Sequence, residues 1–344
     1  MESVNIKDIA KMCGVGVSTV SRAINNHPDV NQETRDMIMQ TIKNTHYVPN
    51  NSARNLKRTD AAVIALLVKG VSNTFFSEMI EIIQSEIRKR KYTIVLHRVE
   101  FDEDEVDVAL QLVKEKRLRG IIFLGGYFVH SEEKLHELGV PFVLSTTGSV
   151  PEAFSKNTYS SVSVDDRSES CKMTNYLISI GHRKIVIIGT KSSDVSVGRL
   201  RLEGYMTALN EHGIQYDSSL VLPMRPDIED YSMENGYAVM KQFLDEGKKC
   251  TAVFAISDTM AIGAARAIHD AGLSIPEDIS LAGFDGVKAG LYYNPSITTI
   301  RQPIEKMSRA TTDILFEIID GDAGHRHEIL PGELIIREST CKIN

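Results

Sequence analysis

Residues 5–25, NIKDIAKMCGVGVSTVSRAIN, decide the fold of the first part of the chain. Apolar residues recur in this stretch with the period of a helix on either side of a short break: Ile6, Ile9, Ala10 and Cys13 before it, Val17, Val20 and Ile24 after it. The break is Gly14-Val15-Gly16, and so short a connection with two glycines makes the chain bend. The spacing therefore predicts a helix-turn-helix, with Asn5 as the N-cap of the first helix.

A third helix is predicted directly after these two. Pro28 and Asp29 end the second helix, and Asn31 can cap the next one. The predicted inward face of the third helix consists of Met37, Ile38, Thr41 and Ile42. Residues 1–49 are thus predicted to form a helix-turn-helix domain of three short helices around one small core.

The second helix carries the side chains that could read DNA. With the apolar stripe turned inward, its outer side presents Val17, Ser18, Ser21 and Arg22 near the end that enters a major groove. Arg22 has the planar fork that contacts guanine with two hydrogen bonds, whereas Val17 can contact a thymine methyl and Ser18 offers a hydroxyl. A generic three-helix packing unit with a solvated Arg22 is the alternative.

Charge is unevenly distributed along the chain. The net charge is −7 in all, but residues 1–60 carry +2 and the remainder carries −9. A slightly basic first segment on an acidic body is compatible with a small DNA-binding module fused to another domain.

Residues 50–61 are predicted to be a hinge helix and linker. Ala53 and Leu56 lie three residues apart among the cations Arg54, Lys57 and Arg58. So short a segment cannot remain helical alone in water, and it needs a partner. Leu56 suits a minor-groove wedge that unstacks a base step while the cations meet phosphate. A flexible linker is the equal alternative.

From Ala62 onward, short β-branched runs alternate with amphipathic stretches, which predicts an α/β core of two doubly wound parallel sheets. Strands are predicted at 63–68, 93–96, 120–124, 141–145, 162–164, 184–188, 220–222, 252–256 and 279–283. The sequence assigns residues 62–160 with 293–322 to one subdomain and 161–292 with 323–344 to the other. A cleft between two such sheets is the expected ligand site, at the carboxyl ends of the strands.

That position selects candidate ligand-binding residues. Asn73, Phe75 and Phe76 follow the first strand, and the acids Asp165, Asp166, Asp258 and Asp285 follow later ones. Carboxylates and amides accept hydrogen bonds from hydroxyls, and Phe rings stack on the apolar face of a sugar or a heterocycle. The alternatives are core packing for the Phe residues and N-capping of the following helix for the Asp residues.

Other classes of function find no support in the sequence. It contains no phosphate-binding GxxxxGK[ST] loop, no HExxH, no GxSxG and no GxGxxG after a strand, so we expect no enzyme and no cofactor. The four cysteines lie far apart without a zinc-site spacing, so no metal is expected. Apolar runs are too short to cross a bilayer, and no signal peptide is visible. A cytoplasmic location is therefore expected.

Several motifs resemble the LacI/GalR family of transcription regulators over essentially the whole chain. Residues 5–25 resemble the family's DNA-binding head, and NNSARNLK at 50–57 resembles its hinge helix. The core motifs are similar to its periplasmic-binding-protein-like core: GHRKI at 181–185, RLEGY at 201–205, TAVFAISDTMAIG at 251–263, IPEDISLAGFD at 275–285 and PSITTIRQP at 295–303. One departure is Gly16, which stands where the family usually has a capping serine.

The resemblance implies a homodimer on a pseudo-palindromic double-stranded DNA operator, with a small-molecule effector bound in the core. The DNA contacts it implies are Val17 and Ser18 as the specificity pair, with Thr19, Ser21, Arg22, Asn25, Ala53, Leu56 and Lys57. The effector contacts it implies are Phe76, Arg201, Tyr231, Asp258 and Asp285, and the position after a strand adds Asn73, Phe75 and Asp165 to the predicted effector-binding residues. A sugar or sugar phosphate is the family's commonest effector, and a nucleobase or a partner protein is possible. A solute-binding receptor without regulatory DNA binding is the alternative function.

Overall fold

The structure is a computed structural model that describes residues 5–24, 27–45, 62–70, 73–100, 103–126, 130–148, 155, 157–189 and 196–343. The chain divides into two compact units, one within residues 1–61 and the other within residues 62–344. The predicted hinge helix at 50–61 lies outside the described residues.

The first unit contains three helices, α1 (Ile6–Met12), α2 (Val17–Ile24) and α3 (Gln32–Thr45). Asn5 caps α1 in a capping box: its side chain accepts from the amides of Lys7 and Asp8, and the Asp8 carboxylate accepts from the amide of Asn5. Asn31 Oδ1 accepts from the amide of Thr34 at 2.8 Å and caps α3. The predicted helix-turn-helix and both of its caps are confirmed.

The core of this first unit is small. Its buried apolar residues are Ile9, Ala10, Val20, Ala23, Val30 and Ile38. The predicted inward face of α3 was too wide, since Met37 is 43% exposed and only Ile38 is buried. Neighbouring residues of a helix point about 100° apart. The narrow contact of α3 with two short helices therefore buries Ile38 but not Met37.

The second unit contains two six-stranded sheets. The first sheet has the order β11-β5-β4-β3-β1-β2 and is parallel throughout. Its strands are β1 (Val63–Lys69), β2 (Thr93–Val99), β3 (Leu118–Leu124), β4 (Phe142–Ser145), β5 (Ser160–Val164) and β11 (His327–Leu330). The helices that accompany it are α4 (Phe75–Lys89), α5 (Glu105–Glu115), α6 (Glu132–His136) and α12 (Ile304–Asp320).

The second sheet has the order β12-β10-β9-β8-β6-β7 and is parallel except for β12 against β10. Its strands are β6 (Ile185–Ile188), β7 (Val221–Leu222), β8 (Ala252–Ala255), β9 (Ser280–Asp285), β10 (Thr298–Arg301) and β12 (Glu333–Ile335). The accompanying helices are α7 (Asp166–Ser179), α8 (Val197–Glu211), α9 (Met233–Asp245), α10 (Asp258–Asp270) and α11 (Lys288–Tyr292).

Strand β1 illustrates why the strands of these two sheets have continuous apolar sequences. Ile64, Leu66 and Val68 pack into one layer of the core, and Ala65 and Leu67 pack into another. Both faces of the sheet are therefore covered, as expected of a parallel sheet with helices on its two sides. No helix in the described part of the chain is long and apolar enough to span a membrane.

The predicted division between the subdomains was wrong in three places. Strand β5, predicted to begin the second subdomain, pairs with β4 in the first sheet. Strand β10 falls within 293–322 yet pairs with β9 in the second sheet, and β11 falls within 323–344 yet pairs with β5 in the first. Local apolar periodicity identifies a strand but carries no information about its pairing partner, so the three crossings between sheets could not be located from it.

Candidate functional site

A cavity of about 370 Å³ lies where the carboxyl ends of strands from both sheets face each other. The first sheet contributes the residues that follow β1 to β5, and the second contributes those at or after the ends of β9 and β10, the start of α8 and the loop at 226–231. Six of the eight predicted effector residues line it: Asn73, Phe75, Phe76, Arg201, Tyr231 and Asp285. The strand-end rule of open α/β sheets accounts for this position.

Asp285 connects the two subdomains across the floor of the cavity. Its Oδ2 accepts a hydrogen bond of 2.8 Å from Nδ2 of Asn73, which belongs to the first subdomain. Its Oδ1 accepts another of 2.8 Å from Nε2 of Gln302 and lies 3.6 Å from Nη1 of Arg201. Burial raises the pKa of Asp285 to about 6, although Arg201 and these two donors favour the ionised form.

Arg201 is buried and fully engaged by the protein. Its Nε and Nη2 lie 2.9 and 2.8 Å from Oδ1 of Asp166, and Nη1 donates to the carbonyl oxygen of Ile256. The guanidinium also lies 3.6 Å over the ring of Phe284. Burial likewise raises the pKa of Asp166, which Arg201 opposes. Arg201 therefore neutralises two buried acids before any ligand binds.

Aromatic side chains form the walls of the cavity. Phe75 and Phe76 are buried at the start of α4, with their ring centroids 5.5 Å apart in an edge-to-face arrangement. A Cβ at Gly125 would come within 2.9 Å of the Phe76 ring, so this position favours glycine. On the opposite wall the hydroxyl of Tyr231 lies 2.9 Å from Oγ of Ser196. Flat apolar surface is thus combined with hydroxyl groups.

Two predicted effector residues do not line the cavity. Asp165 is exposed and caps α7, where its carboxylate accepts from the amide of Ser168 at 3.0 Å; its neighbour Asp166 lines the cavity instead. Asp258 is fully buried at the start of α10 and accepts hydrogen bonds from backbone amides of the neighbouring turn. The capping alternative is therefore the correct interpretation of Asp165, and Asp258 has a different structural role.

Other cavity residues were missed from the sequence. Gln302 follows β10, and the strand-end rule would have selected it had that strand been predicted. Arg98 and Glu229 form a 3.0 Å ion pair between the end of β2 and the loop at 226–231, which joins the two subdomains at the cavity wall. No local pattern marks that pair, because its members are far apart in the sequence.

The charged lining of the cavity is predominantly acidic. Among the described residues that line it, three are basic (Lys69, Arg98 and Arg201) and six are acidic (Glu100, Asp166, Asp227, Glu229, Asp230 and Asp285). Each of the three cations has a carboxylate partner within 4 Å: Glu105 for Lys69, Glu100 and Glu229 for Arg98, and Asp166 and Asp285 for Arg201.

The candidate DNA-reading surface is the outer side of α2. Ser18, Ser21 and Arg22 are exposed, Val17 is 41% exposed, and Thr19 is half-buried, whereas Val20 and Ala23 are buried on the opposite side. The predicted contacts Asn25, Ala53, Leu56 and Lys57 lie outside the described residues. The carbonyl of Gly16 accepts from the amides of Thr19 and Val20, so α2 begins regularly although Gly16 has no capping side chain.

Among the described residues, the guanidinium of Arg22 has one loose partner. Its Nη1 lies 3.9 Å from Oδ2 of Asp29, and both side chains are more than half exposed. An exposed ion pair of this length contributes little, so the guanidinium is available to another acceptor.

Family models match both units of the chain. Residues 5–50 match the model described as "Bacterial regulatory proteins, lacI family", and residues 174–340 match "Periplasmic binding protein-like domain". The chain is 43% identical over 341 residues to the HTH-type transcriptional regulator MalR of Clostridium butyricum, an alignment that covers 98% of this chain and 100% of that relative.

Solved structures give the same result for the whole chain. The complex of the transcriptional regulator CelR with cellobiose matches with a TM-score of 0.71 and 29% identity, over 98% of this chain and 99% of that one. The lac repressor dimer bound to operator and the anti-inducer ONPF matches with a TM-score of 0.68 and 25% identity, over 99% and 100% of the two chains. These similarities include the head as well as the sheets.

Proposed function

The chain belongs to the LacI family of bacterial transcriptional regulators and is not an enzyme, and on that basis we propose that it is a repressor whose operator affinity is controlled by a sugar or sugar derivative bound in its cavity. The family membership removes the solute-binding receptor alternative, since such a receptor has no use for a DNA-binding head. A DNA target implies action in the cytoplasm. The proposal requires the effector alone and no cofactor.

The observation that carries the effector proposal is the combination of a polar floor with aromatic walls. Sugar hydroxyls both donate and accept hydrogen bonds, and Asp285, Asn73 and Gln302 offer both carboxylate and amide groups. The rings of Phe76 and Tyr231 can pack on the apolar faces of a sugar ring. The cellobiose complex of the similar regulator CelR supports the same class of ligand.

The balance of charge favours an uncharged sugar over a sugar phosphate. A phosphate would enter a cavity whose described lining carries twice as many acids as bases. It would also compete with Asp166 and Asp285 for Arg201, and losing either pair leaves a buried carboxylate without its cation. A hydroxyl group makes no such demand, because it can donate to a carboxylate that remains paired with Arg201.

Control of DNA binding follows from a ligand that contacts both subdomains. Such a ligand favours one of two arrangements of the subdomains only to the extent that it binds that arrangement more tightly. Two copies of the chain are proposed to present two heads to a pseudo-palindromic operator, with Val17, Ser18 and Arg22 contacting bases. The lac repressor dimer on its operator supports this assembly.

A ligand screen followed by operator titration tests the proposal. The full-length protein is heated with ribose, maltose, cellobiose, glucose 6-phosphate or guanine, and operator affinity is measured with and without each compound on a site selected from random DNA. At a hundredfold excess over its Kd, a ligand of the folded state adds about 2.7 kcal/mol of stability. We expect an uncharged sugar to raise the melting temperature and to change operator affinity about tenfold or more.

Each result has a distinct meaning. A shift produced only by glucose 6-phosphate contradicts the charge argument, and one produced only by guanine makes the effector a nucleobase. A sugar that binds without changing operator affinity contradicts the regulatory coupling. The sign of the change distinguishes an inducer from a co-repressor.

A further inference from the structure

Asp258 is a fully buried carboxyl that contacts the turn after β9 rather than the cavity. Its Oδ2 accepts hydrogen bonds of 2.8 Å from the amides of Gly286 and Val287. Its Oδ1 packs so close to β9 that a Cβ at Gly283 would collide with it, and the side chain of Thr299 on β10 also favours the ionised carboxylate. The carboxyl is therefore wedged between the strand and the turn that follows.

The turn itself has an unusual backbone. Asp285 has a φ of +110° and Gly286 has a φ of +78°, so two consecutive residues lie in the region that favours glycine. A non-glycine residue with such a φ persists only where its surroundings impose it. The two hydrogen bonds from Asp258 act on the amides that immediately follow Asp285.

The direction of the Asp285 side chain depends on this backbone. Asp285 is the residue that accepts from Asn73 of the first subdomain and from Gln302 of the second, each at 2.8 Å. Should the turn relax to an ordinary φ, its Cα–Cβ bond would point elsewhere, and these contacts would be lost together.

We propose that Asp258 is a positioning residue, whose carboxyl fixes the turn at 285–287 so that Asp285 can link the two subdomains across the cavity. The importance of this link for effector binding rests on the proposed function. Burial and the nearby Asp285 carboxylate raise the pKa of Asp258 to about 8. A raised pKa is the expected result of packing a buried carboxyl beside a second carboxylate.

Hydrogen exchange in the full-length protein tests the proposal without any ligand. Asp258→Ala removes the acceptor, Asp258→Asn keeps an oxygen acceptor without an ionisable proton, and Ser257→Ala is the matched control. Ser257 caps the same helix through the amide of Met260 but does not bond the turn. We expect exchange at the amides of Gly286 and Val287 to be about tenfold faster or more in Asp258→Ala and unchanged in the other two variants.

A double-mutant cycle tests the link to the first subdomain. Asn73→Ala is combined with each variant, and the melting temperature of the core is measured. We expect Asn73→Ala to lower the melting temperature in the wild-type, Asp258→Asn and Ser257→Ala backgrounds. In Asp258→Ala it should lower the melting temperature less, because Asp285 no longer reaches Asn73 there and only the hydrogen bonds of Asn73 with Phe75 and Thr259 remain to be lost. Two results would overturn the proposal. One is an equal loss of melting temperature on adding Asn73→Ala in all backgrounds, and the other is amide exchange in the turn that is as fast in Ser257→Ala as in Asp258→Ala.

Asp258→Ser serves if Asp258→Ala does not fold. Its hydroxyl fills part of the space of the carboxyl but is too short to accept from the amides of Gly286 and Val287. We expect faster amide exchange at Gly286 and a smaller loss of melting temperature on adding Asn73→Ala. If both quantities stay at their wild-type values, the proposal is wrong. If no sugar raises the melting temperature while the exchange and double-mutant results are as expected, only the proposed function is contradicted.

Discussion

Replacing Arg201 by alanine is expected to lower the free energy of unfolding of the core by about 3–5 kcal/mol, the usual cost of removing one partner from a buried ion pair. The substitution leaves the carboxylates of Asp166 and Asp285 buried without their cation and leaves the carbonyl of Ile256 without its donor. It also removes the guanidinium that lies 3.6 Å over the Phe284 ring. Protein unfolding by urea, followed by circular dichroism, measures the change.

Protonation limits this cost and gives it a pH dependence. The pKa of Asp285 is about 6 in the intact site and rises further without Arg201, as does the raised pKa of Asp166. Each acid can therefore take up a proton in the variant, at about 1.4 kcal/mol per pH unit separating the solution from its pKa. We expect the loss caused by Arg201→Ala to be larger at pH 8 than at pH 5.

Arg199→Ala on the same helix is the matched control. Arg199 is 57% exposed and pairs with Glu203 four residues later, an arrangement that contributes about 0.3–0.5 kcal/mol. A loss below about 1 kcal/mol for Arg201→Ala, or the same loss at both pH values, would refute the description of Arg201 as the cation that neutralises two buried acids.

Three further predictions concern the head, the hinge and the pH range of stability. Arg22→Ala should weaken operator binding by about 1–3 kcal/mol in a titration while leaving binding to random DNA at the same salt almost unchanged; equal weakening on both would make Arg22 a phosphate contact. Leu56→Ala should lower operator affinity without changing the melting temperature of the free protein, and a lower melting temperature would place Leu56 in a folded core instead of a minor groove. The contribution of Asp285 and Asp258 to the stability of the core should decline as the pH rises through their folded pKa values of about 6 and about 8, because the unfolded chain has already released both protons there. Asp258→Asn should flatten the upper part of that decline in urea unfolding curves, and an unchanged curve would mean that Asp258 does not titrate there.

The helices of the head and most strands of the core could be predicted because their signals are local. Capping by Asn5 and the helical spacing of Val20 and Ile24 depend only on residues within one or two turns. Cavity residues such as Phe76 and Asp285 could also be predicted, since they lie at or after the ends of buried strands and the carboxyl ends of parallel strands lie at the same edge of a sheet.

The rest depends on contacts between distant residues. Asp165 caps α7 and Asp166 is its first residue, and only the pairing of Asp166 with Arg201, 35 positions away, shows which of the two faces the cavity. The role of Asp258 is set by a turn 28 positions later. The sheet to which each strand belongs likewise depends on distant residues, because the local apolar period of a strand does not indicate which strand it pairs with.

The three crossings between the sheets affect how such a regulator can evolve. The head is one uninterrupted stretch of the chain, whereas each subdomain of the core is assembled from separate stretches that alternate with those of the other. A single genetic recombination event exchanges one contiguous segment, so it can transfer a head between relatives but not a subdomain. Heads and whole cores can therefore be exchanged as modules, whereas one subdomain of a core cannot be replaced in this way without the other.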